Sequence, residues 1–199
     1  ELTAHLDRWR RLTGAAEFAL LGTCNRVEAF LVDPTAPGEL EREWLARAGP
    51  RVSAFLYRHE GVEAAHHLFR VAAGLDAMVT GETQVLGQVK EALGAARQAG
   101  TAGKVLNALF EHAVRAARRV HAETAVSSRA ASVSSLAVDV AGRHLGTLAG
   151  RKVLVVGAGK MGRLALSRLR REGAGEVLVC TRDPARAGGV LPGCTVLPL

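Results

Sequence analysis

The chain has 199 residues, of which 48% are hydrophobic, and this is enough to bury one good core or two small ones. The sequence has no apolar run as long as a membrane span, and residues 1–11 lack the apolar centre of a signal peptide, so we expect a cytoplasmic protein with no membrane partner. The net charge of +7 permits a polyanionic partner but does not require one, because a GC-rich genome also enriches Arg, Ala and Gly.

The first predicted elements are two short strands within residues 18–32, joined by a turn of unusual composition. Turns favour Gly22 and Asn25, whereas Cys24 and Arg26 are not turn residues. A guanidinium two residues from a thiol favours the thiolate, the nucleophilic form of cysteine. The alternative is a small buried apolar cysteine. The chain has three cysteines without CxxC spacing, so the sequence predicts neither a disulfide framework nor a metal site.

Helices dominate the following region. Glycine and proline predict a loop over 33–38, and the residues AFLYRH, at 54–59, are typical of a strand. A polar, glycine-bearing segment covers 74–88, and SSRAAS, at 127–132, breaks the helical pattern. Apolar residues at helical spacing predict the helices, which cover 39–48, 62–73, 85–99, 104–122 and 133–144.

The character of the sequence changes near residue 148. From residue 151 to 183 it contains an apolar strand, a glycine turn, an amphipathic helix and a second apolar strand. This order predicts the βαβ unit of a doubly wound parallel sheet. We therefore expect an α/β protein with two domains, residues 1–147, which include a linking helix, and residues 148–199.

A GxGxxG motif lies directly between the strand and the helix of this unit, where it indicates a dinucleotide site. Its first glycine makes a tight turn, its second lets the backbone approach a pyrophosphate, and its third lets the helix pack on the strand. The helix N-terminus offers N–H groups to the phosphates. The alternative is a glycine-rich connection without a ligand. The predicted cofactor loop comprises Gly157, Ala158, Gly159, Lys160, Met161 and Gly162.

The residues after the second strand select the cofactor. An acidic residue there binds the ribose 2′-hydroxyl of NAD, whereas an arginine accommodates the 2′-phosphate of NADP. Here Arg182 comes before Asp183, and Arg186 follows. The order favours NADP and NADPH, while Asp183 keeps NAD open.

Four stretches, in chain order, resemble the glutamyl-tRNA reductase family. They are GTCNRVEAF (22–30), HHLFRVAAGLDAMVTGETQVLGQVKEA (66–92), SVSSLAVDVA (132–141) and VLVVGAGKMG (153–162). The family reduces glutamyl-tRNA to glutamate 1-semialdehyde, the first step of tetrapyrrole synthesis. The resemblance covers nearly the whole chain from about residue 17 onward. It implies an N-terminal α/β catalytic domain followed by a Rossmann NADP-binding domain, here partial.

The resemblance also implies a chemical role for the unusual turn. Cys24 matches the family's nucleophile, whose thiolate attacks the glutamyl ester, expels the tRNA and leaves an enzyme thioester. NADPH then supplies the hydride that reduces this thioester to the aldehyde. A thioester carbonyl is more electrophilic than a carboxylate, which explains the need for both a thiol and a dinucleotide domain.

Other residues of this sequence match functional positions of the family. His67 matches a histidine important for activity, as proton donor or acceptor, whereas its neighbour His66 has no such match. Arg26 is the implied partner of the substrate's free carboxylate. The implied substrate-binding positions are Thr23, Asn25, Arg26, Ala77, Glu82, Thr83, Gln84 and Gln88.

The chain departs from the family pattern in several places. The family usually has Ser at Ala77 and at Gly22, and Pro at Thr83. The missing hydroxyl at Ala77 removes one hydrogen bond, worth about 1 kcal/mol. The chain also lacks the segment preceding residue 1 and the family's C-terminal dimerisation region, so we interpret it as a fragment. The resemblance implies a homodimer for the full-length protein and an aminotransferase partner that takes over glutamate 1-semialdehyde.

Two alternatives remain open at this point. The same βαβ unit serves another NADP-dependent dehydrogenase of the shikimate dehydrogenase type, in which Cys24 is structural. The second alternative is a non-catalytic, nucleotide-sensing relative that kept the fold. The presence of Cys24 together with Arg26 distinguishes the glutamyl-tRNA reductase family from the first alternative, since a shikimate-type enzyme does not need that pair.

Overall fold

The computed structural model describes residues 2–126, 133–185 and 193–199, and the chain divides into two compact units, Glu1–Ala130 and Ala131–Leu199. The first unit packs helices around a β-hairpin. Its elements are α1 (Leu2–Thr13), β1 (Glu17–Gly22), β2 (Val27–Val32), α2 (Gly38–Ala48), a 3-10 helix (Pro50–Phe55), α3 (Gly61–Ala72), α4 (Gln84–Gln98) and α5 (Lys104–Glu123).

The hairpin places the unusual turn at one end of the first unit. β1 and β2 pair antiparallel in a register that sets Gly22 opposite Val27, so residues 23–26 form the connection, as predicted. On the inward side Phe30 packs edge-on against Phe110 of α5, with ring centroids 5.1 Å apart. Leu68 of α3 and Val89 of α4 belong to the same fully buried cluster. Helix α3 packs on α4 and α5, which in turn pack on the strands, so the core fixes the place of α3 relative to the hairpin.

Two predictions about the first unit need correction. The proposed strand at 54–59 is wrong: the 3-10 helix ends at Phe55 and the following residues are extended without belonging to a strand. The helical turn is favoured by Pro50 at its start and by the Ser53 hydroxyl, which donates to the Pro50 carbonyl at 2.8 Å. The sequence analysis also passed over α1, whose Leu6 packs against Phe18 of β1.

A buried carboxylate fixes the start of α5. Glu17 accepts hydrogen bonds from the backbone N–H groups of Val105, at 3.0 Å, and Leu106, at 2.7 Å. An anion at this position satisfies free amide donors and complements the helix dipole. A Cβ on Gly103 would lie 2.5 Å from Glu17 Oε1, so a larger residue there would displace this carboxylate.

The second unit is the predicted βαβ arrangement, extended by one strand. In chain order its described elements are α6 (Val133–Leu145), β3 (Val153–Val156), α7 (Lys160–Arg171), β4 (Val177–Thr181) and β5 (Thr195–Pro198). The three strands are parallel in the order β3, β4, β5. The sequence analysis did not predict β5. Among the described helices of the chain, none is long and apolar enough to cross a bilayer.

The division between the units differs from the predicted boundary at residues 147 and 148. Helix α6 groups with the second unit because its Val138 packs with Leu148 and with Leu169 of α7. The change in sequence character at residue 148 marks the start of the sheet, not the end of the first compact unit. The predicted helix break at 127–132 lies outside the described residues.

Candidate active site

The turn between β1 and β2 presents a thiol to solvent. Thr23 organises it: its backbone N–H donates to the Arg26 carbonyl at 2.9 Å, and its hydroxyl accepts the N–H groups of Asn25 and Arg26, both at 3.2 Å. These bonds turn the chain without requiring glycine. Cys24 lies at the tip and is exposed. The alternative of a buried apolar Cys24 is therefore wrong.

Arg26 points away from this tip toward two carboxylates. Its Nη1 lies 2.8 Å from Asp76 Oδ2 and 3.2 Å from Glu28 Oε1, and its Nη2 donates to the Asp76 carbonyl. Asp76 is in the loop after α3 and Glu28 is on β2. The guanidinium thus joins the hairpin to this loop, and its charge is already compensated within the unit.

The same Glu28 carboxylate holds His67. Nε2 of His67 lies 2.8 Å from Glu28 Oε1, which assigns the ring proton on Nε2 to this bond when Glu28 is ionised. The other ring nitrogen, Nδ1, is 3.9 Å from Asp76 Oδ2, too far for a hydrogen bond. His66, the next residue on α3, is exposed on a different side of the helix. The structure therefore places the two adjacent histidines in different surroundings, and only His67 contacts Glu28.

Two aromatic residues from the extended segment after the 3-10 helix, Tyr57 and His59, contact these side chains. The Tyr57 hydroxyl donates to Glu28 Oε1, and the Tyr57 ring meets His67 edge-on at a centroid distance of 5.6 Å. His59 lies on His67 with centroids 4.8 Å apart and planes tilted by 31°. We call Arg26, Glu28, Tyr57, His67 and Asp76 the carboxylate cluster.

Charges in the carboxylate cluster stabilise one another. The hydrogen bond from Arg26 lowers the pKa of Asp76 against the opposing effect of burial, and nearby cations add to the lowering. Burial disfavours the charge of Arg26, but its hydrogen bond to Asp76 and the two carboxylates outweigh burial and raise its pKa. Arg26 and Asp76 are therefore both ionised at neutral pH.

The remaining predicted substrate residues lie around the loop after α3 and the start of α4. Ala77 follows Asp76 directly and packs against the main core. Glu82 is buried, and the Nε2 atom of Gln84 is buried without a hydrogen-bond partner among the described residues. Thr83, which is exposed, precedes α4, and Gln88 is half-buried within it. In the described part of the chain, none of these side chains bonds to the carboxylate cluster.

The position of Glu28 in the strand pattern indicated a special role for this residue, which the sequence analysis did not identify. Residues alternate between the two faces of a strand, and Glu28 shares the buried face of β2 with Phe30. A carboxylate on a buried face requires donors nearby, since burying it unpaired is costly. Its second oxygen, Oε2, is buried and has no hydrogen-bond partner among the described residues. Asp76, Tyr57 and His59 had no comparable local signal.

The second unit contains a cleft of about 660 Å³ at the carboxyl ends of its strands. Lining residues include Gly157, Ala158, Gly159 and Lys160 from the glycine loop, with Arg182 and Asp183 beyond β4. Ligands of doubly wound sheets bind at this edge. Cys180, near the end of β4, also lines the cleft and is half-buried.

The glycine loop fits a dinucleotide. Gly157 has a φ of 105°, which disfavours other residues, and a Cβ on Gly162 would lie 2.1 Å from the Gly157 carbonyl oxygen. A Cβ on Gly159 would meet nothing within 4 Å, so the space above it is open to a pyrophosphate. Helix α7 starts at Lys160 without a side-chain cap and leaves its first N–H groups available. Met161 and Gly162, which were also predicted as part of the cofactor loop, are not among the residues that line the cleft.

The excess positive charge lies in this second unit. Between residues 131 and 199 there are ten Lys and Arg against four Asp and Glu, whereas residues 1–130 contain sixteen against fifteen. Arg182 is exposed and makes no ion pair with any residue the structure describes. The excess positive charge thus belongs to the unit that contains the cleft, and three of its ten cations, Lys160, Arg163 and Arg182, line that cleft.

Two family models match the chain, one in each half. The model described as glutamyl-tRNAGlu reductase, N-terminal domain, matches residues 1–124. The model described as shikimate / quinate 5-dehydrogenase matches residues 139–194. The shikimate dehydrogenase alternative therefore accounts for the dehydrogenase-type dinucleotide unit but not for the first unit.

Curated relatives and a solved structure agree with the first model. A glutamyl-tRNA reductase of Solibacter usitatus is 44% identical over 94% of this chain and 46% of its own length. That of Syntrophotalea carbinolica is 46% identical over 88% of this chain and 41% of its own. The structure of glutamyl-tRNA reductase from Methanopyrus kandleri matches all of this chain and 48% of its own, with a TM-score of 0.62 and 34% identity. The chain thus spans a little under half the length of these relatives, and it belongs to the glutamyl-tRNA reductase family.

Proposed function

We propose that this chain carries the thiol and the first part of the NADPH site of an enzyme that reduces glutamyl-tRNA to glutamate 1-semialdehyde. The observation that supports it most strongly is the exposed Cys24 on a turn anchored to the carboxylate cluster. A thiol at a solvent-accessible tip can reach a large substrate, and a histidine held by a carboxylate is a typical proton-transfer group. Neither feature is needed by a protein that only senses nucleotides.

The first chemical step is acyl transfer. The Cys24 thiolate attacks the carbonyl carbon of the glutamyl ester, a C–S bond forms, the C–O bond to the tRNA ribose breaks, and the ribose oxygen takes up a proton. His67 is the proposed donor of that proton. When bound, NADPH supplies the hydride that converts the thioester to the aldehyde and releases the Cys24 thiolate.

Recognition of the glutamyl group is assigned to the turn and to the loop after α3. Arg26 remains the proposed partner of the substrate's free carboxylate, which must then share the guanidinium with Asp76. Further proposed contacts come from Thr23, Asn25, Ala77, Glu82, Thr83, Gln84 and Gln88. For the full-length protein we propose a cytoplasmic homodimer that passes its aldehyde to an aminotransferase, supported by the family membership alone.

The function can be tested with the full-length protein and glutamyl-tRNA labelled in the glutamate. Without NADPH, we expect label to transfer to the protein in about one equivalent per Cys24 thiol, in a bond that hydroxylamine cleaves. NADPH should then release the label as an aldehyde. Label that never becomes protein-bound, with normal aldehyde formation, would exclude the thioester; absence of both would exclude the reductase assignment.

Cofactor choice can be tested at Arg182. A guanidinium beside the adenine ribose makes charge-assisted bonds to a 2′-phosphate, so Arg182→Ala should weaken NADPH binding by roughly 1.5–3 kcal/mol and leave NADH binding almost unchanged. Fluorescence titration of both cofactors against the full-length wild type and variant measures this. Arg143→Ala, which removes an exposed cation of α6, is the control for net charge. Tighter binding of NADH than of NADPH by the wild type would instead indicate that Asp183 binds the ribose 2′-hydroxyl.

A further inference from the structure

We propose that Tyr57 is a positioning residue for His67, acting through the Glu28 carboxylate. The inference rests on the proposed function, since it assigns His67 a part in proton transfer. Tyr57 lies outside every sequence stretch that carries the family resemblance. Its assignment comes from contacts in the first unit alone.

The two side chains share one acceptor atom. Glu28 Oε1 receives the Tyr57 hydroxyl and faces Nε2 of His67 at 2.8 Å, with Arg26 Nη1 at 3.2 Å. Three donors around a single oxygen fix the rotation of the carboxylate. A fixed carboxylate in turn keeps the Nε2 proton of His67 in one place and leaves Nδ1 as the nitrogen able to exchange a proton with a substrate.

The ring of Tyr57 contributes separately from its hydroxyl. It meets His67 edge-on, while His59 from the same extended segment lies on the imidazole. Only 14% of the His67 side chain and 6% of the Glu28 side chain are exposed, whereas Tyr57 itself is 55% exposed. The segment thus shields the Glu28–His67 pair from water, which strengthens the bond between them.

The Tyr57 hydroxyl also affects the strength of the interaction between the Glu28 carboxylate and protonated His67. The charged groups around His67 are Glu28 on β2, Arg26 in the turn and Asp76 after α3, while Tyr57 and His59 supply titratable rings. A donor on Glu28 competes with His67 for negative charge. Removing that donor makes the carboxylate a better partner for protonated His67, so the imidazole should lose its proton at higher pH.

Tyr57 is the only tyrosine among these 199 residues, and in the full-length protein the difference between the wild type and Tyr57→Phe isolates its phenol. Burial and the bond to Glu28 raise the pKa of the Tyr57 hydroxyl above its usual range. Ultraviolet titration of tyrosinate should therefore show one late-titrating phenol in the wild type and an earlier one in Glu28→Gln. An ordinary titration in the wild type would overturn the proposed bond, whatever the enzyme's activity.

The functional test compares Tyr57→Phe with Phe55→Leu in the full-length protein. Phe55 lies two residues away and is 79% exposed, so its replacement controls for loss of an aromatic side chain in this region. We expect Tyr57→Phe to lower kcat about tenfold, with KM changed less than about twofold, and to move the His67 limb of the pH–rate profile to higher pH. Phe55→Leu should change neither.

Nuclear magnetic resonance of the His67 ring separates this proposal from the proposed function. If Tyr57→Phe shifts the His67 titration to higher pH but no glutamyl-tRNA is reduced even by the wild type, the positioning role stands and the function fails. If the His67 titration and kcat both match the wild type, Tyr57 has no positioning role. A lowered melting temperature without either shift would make Tyr57 merely structural and overturn the proposal.

Discussion

Replacement of Cys24 by serine is expected to abolish the reduction of glutamyl-tRNA. A serine hydroxyl is hardly ionised at neutral pH, and the ester that it could form resists hydride transfer far more than a thioester does. Cys24 is exposed at the tip of a turn held by backbone bonds to Thr23, so the substitution does not disturb packing. The loss should therefore appear in kcat at an unchanged melting temperature, measured as aldehyde formed from labelled glutamyl-tRNA in the full-length protein.

Label trapping gives the same prediction an independent measure. Protein-bound glutamate should vanish in Cys24→Ser but persist in Cys194→Ser, in which the replaced thiol belongs to the second unit and packs beside its core. Circular dichroism of both variants verifies that they fold. Near wild-type turnover by Cys24→Ser would make the thiol structural and remove the basis of the proposed mechanism.

Replacement of His67 by alanine should be the second most damaging change. Proton-transfer residues contribute about 10²–10⁴-fold to rate, and we expect a fall in kcat within that range. His67 is largely buried and bonded to Glu28, so some loss of stability accompanies the substitution. Steady-state kinetics and thermal unfolding of the same preparations separate the two effects.

The neighbouring histidine provides the matched control. His66 is the same residue type on the same helix, but it is exposed and stands apart from Glu28. His66→Ala should leave kcat within about twofold of the wild type. Equal rate losses in both variants, together with lowered melting temperatures, would mean that the pair supports packing and that another group transfers the proton.

The local geometry of both candidate sites was predictable, because each is formed by residues close together in the sequence. The glycine loop needs contiguous residues between a strand and a helix, and the structure forms a cleft over Gly157, Gly159 and Lys160. The thiol turn is equally local, because its hydrogen bonds span three residues or fewer, from Thr23 to Arg26. In both cases the arrangement depends on backbone geometry within one turn, and the residue types in that turn predict this geometry.

The exception among local predictions is the segment around Tyr57. Its apolar and aromatic residues are typical of a strand, yet Pro50 starts a 3-10 helix and the residues after Phe55 pair with no strand. A β propensity is satisfied only where a partner strand is available, and a single sequence does not reveal the partner. Tyr57 bonds instead to Glu28 through its hydroxyl.

By itself the sequence determined the glycine loop between strand and helix, the thiol turn, most helices and the family, since each depends on residues that are near neighbours along the chain. Only the tertiary structure decided that Arg26 bonds to Asp76, 50 residues away, and that His67 bonds to Glu28, 39 residues away. Those contacts exist because the core, through α4 and α5, fixes the place of α3 relative to the hairpin. Packing is set by the combined fit of many side chains, so no spacing in a single sequence predicts which distant charges it brings together.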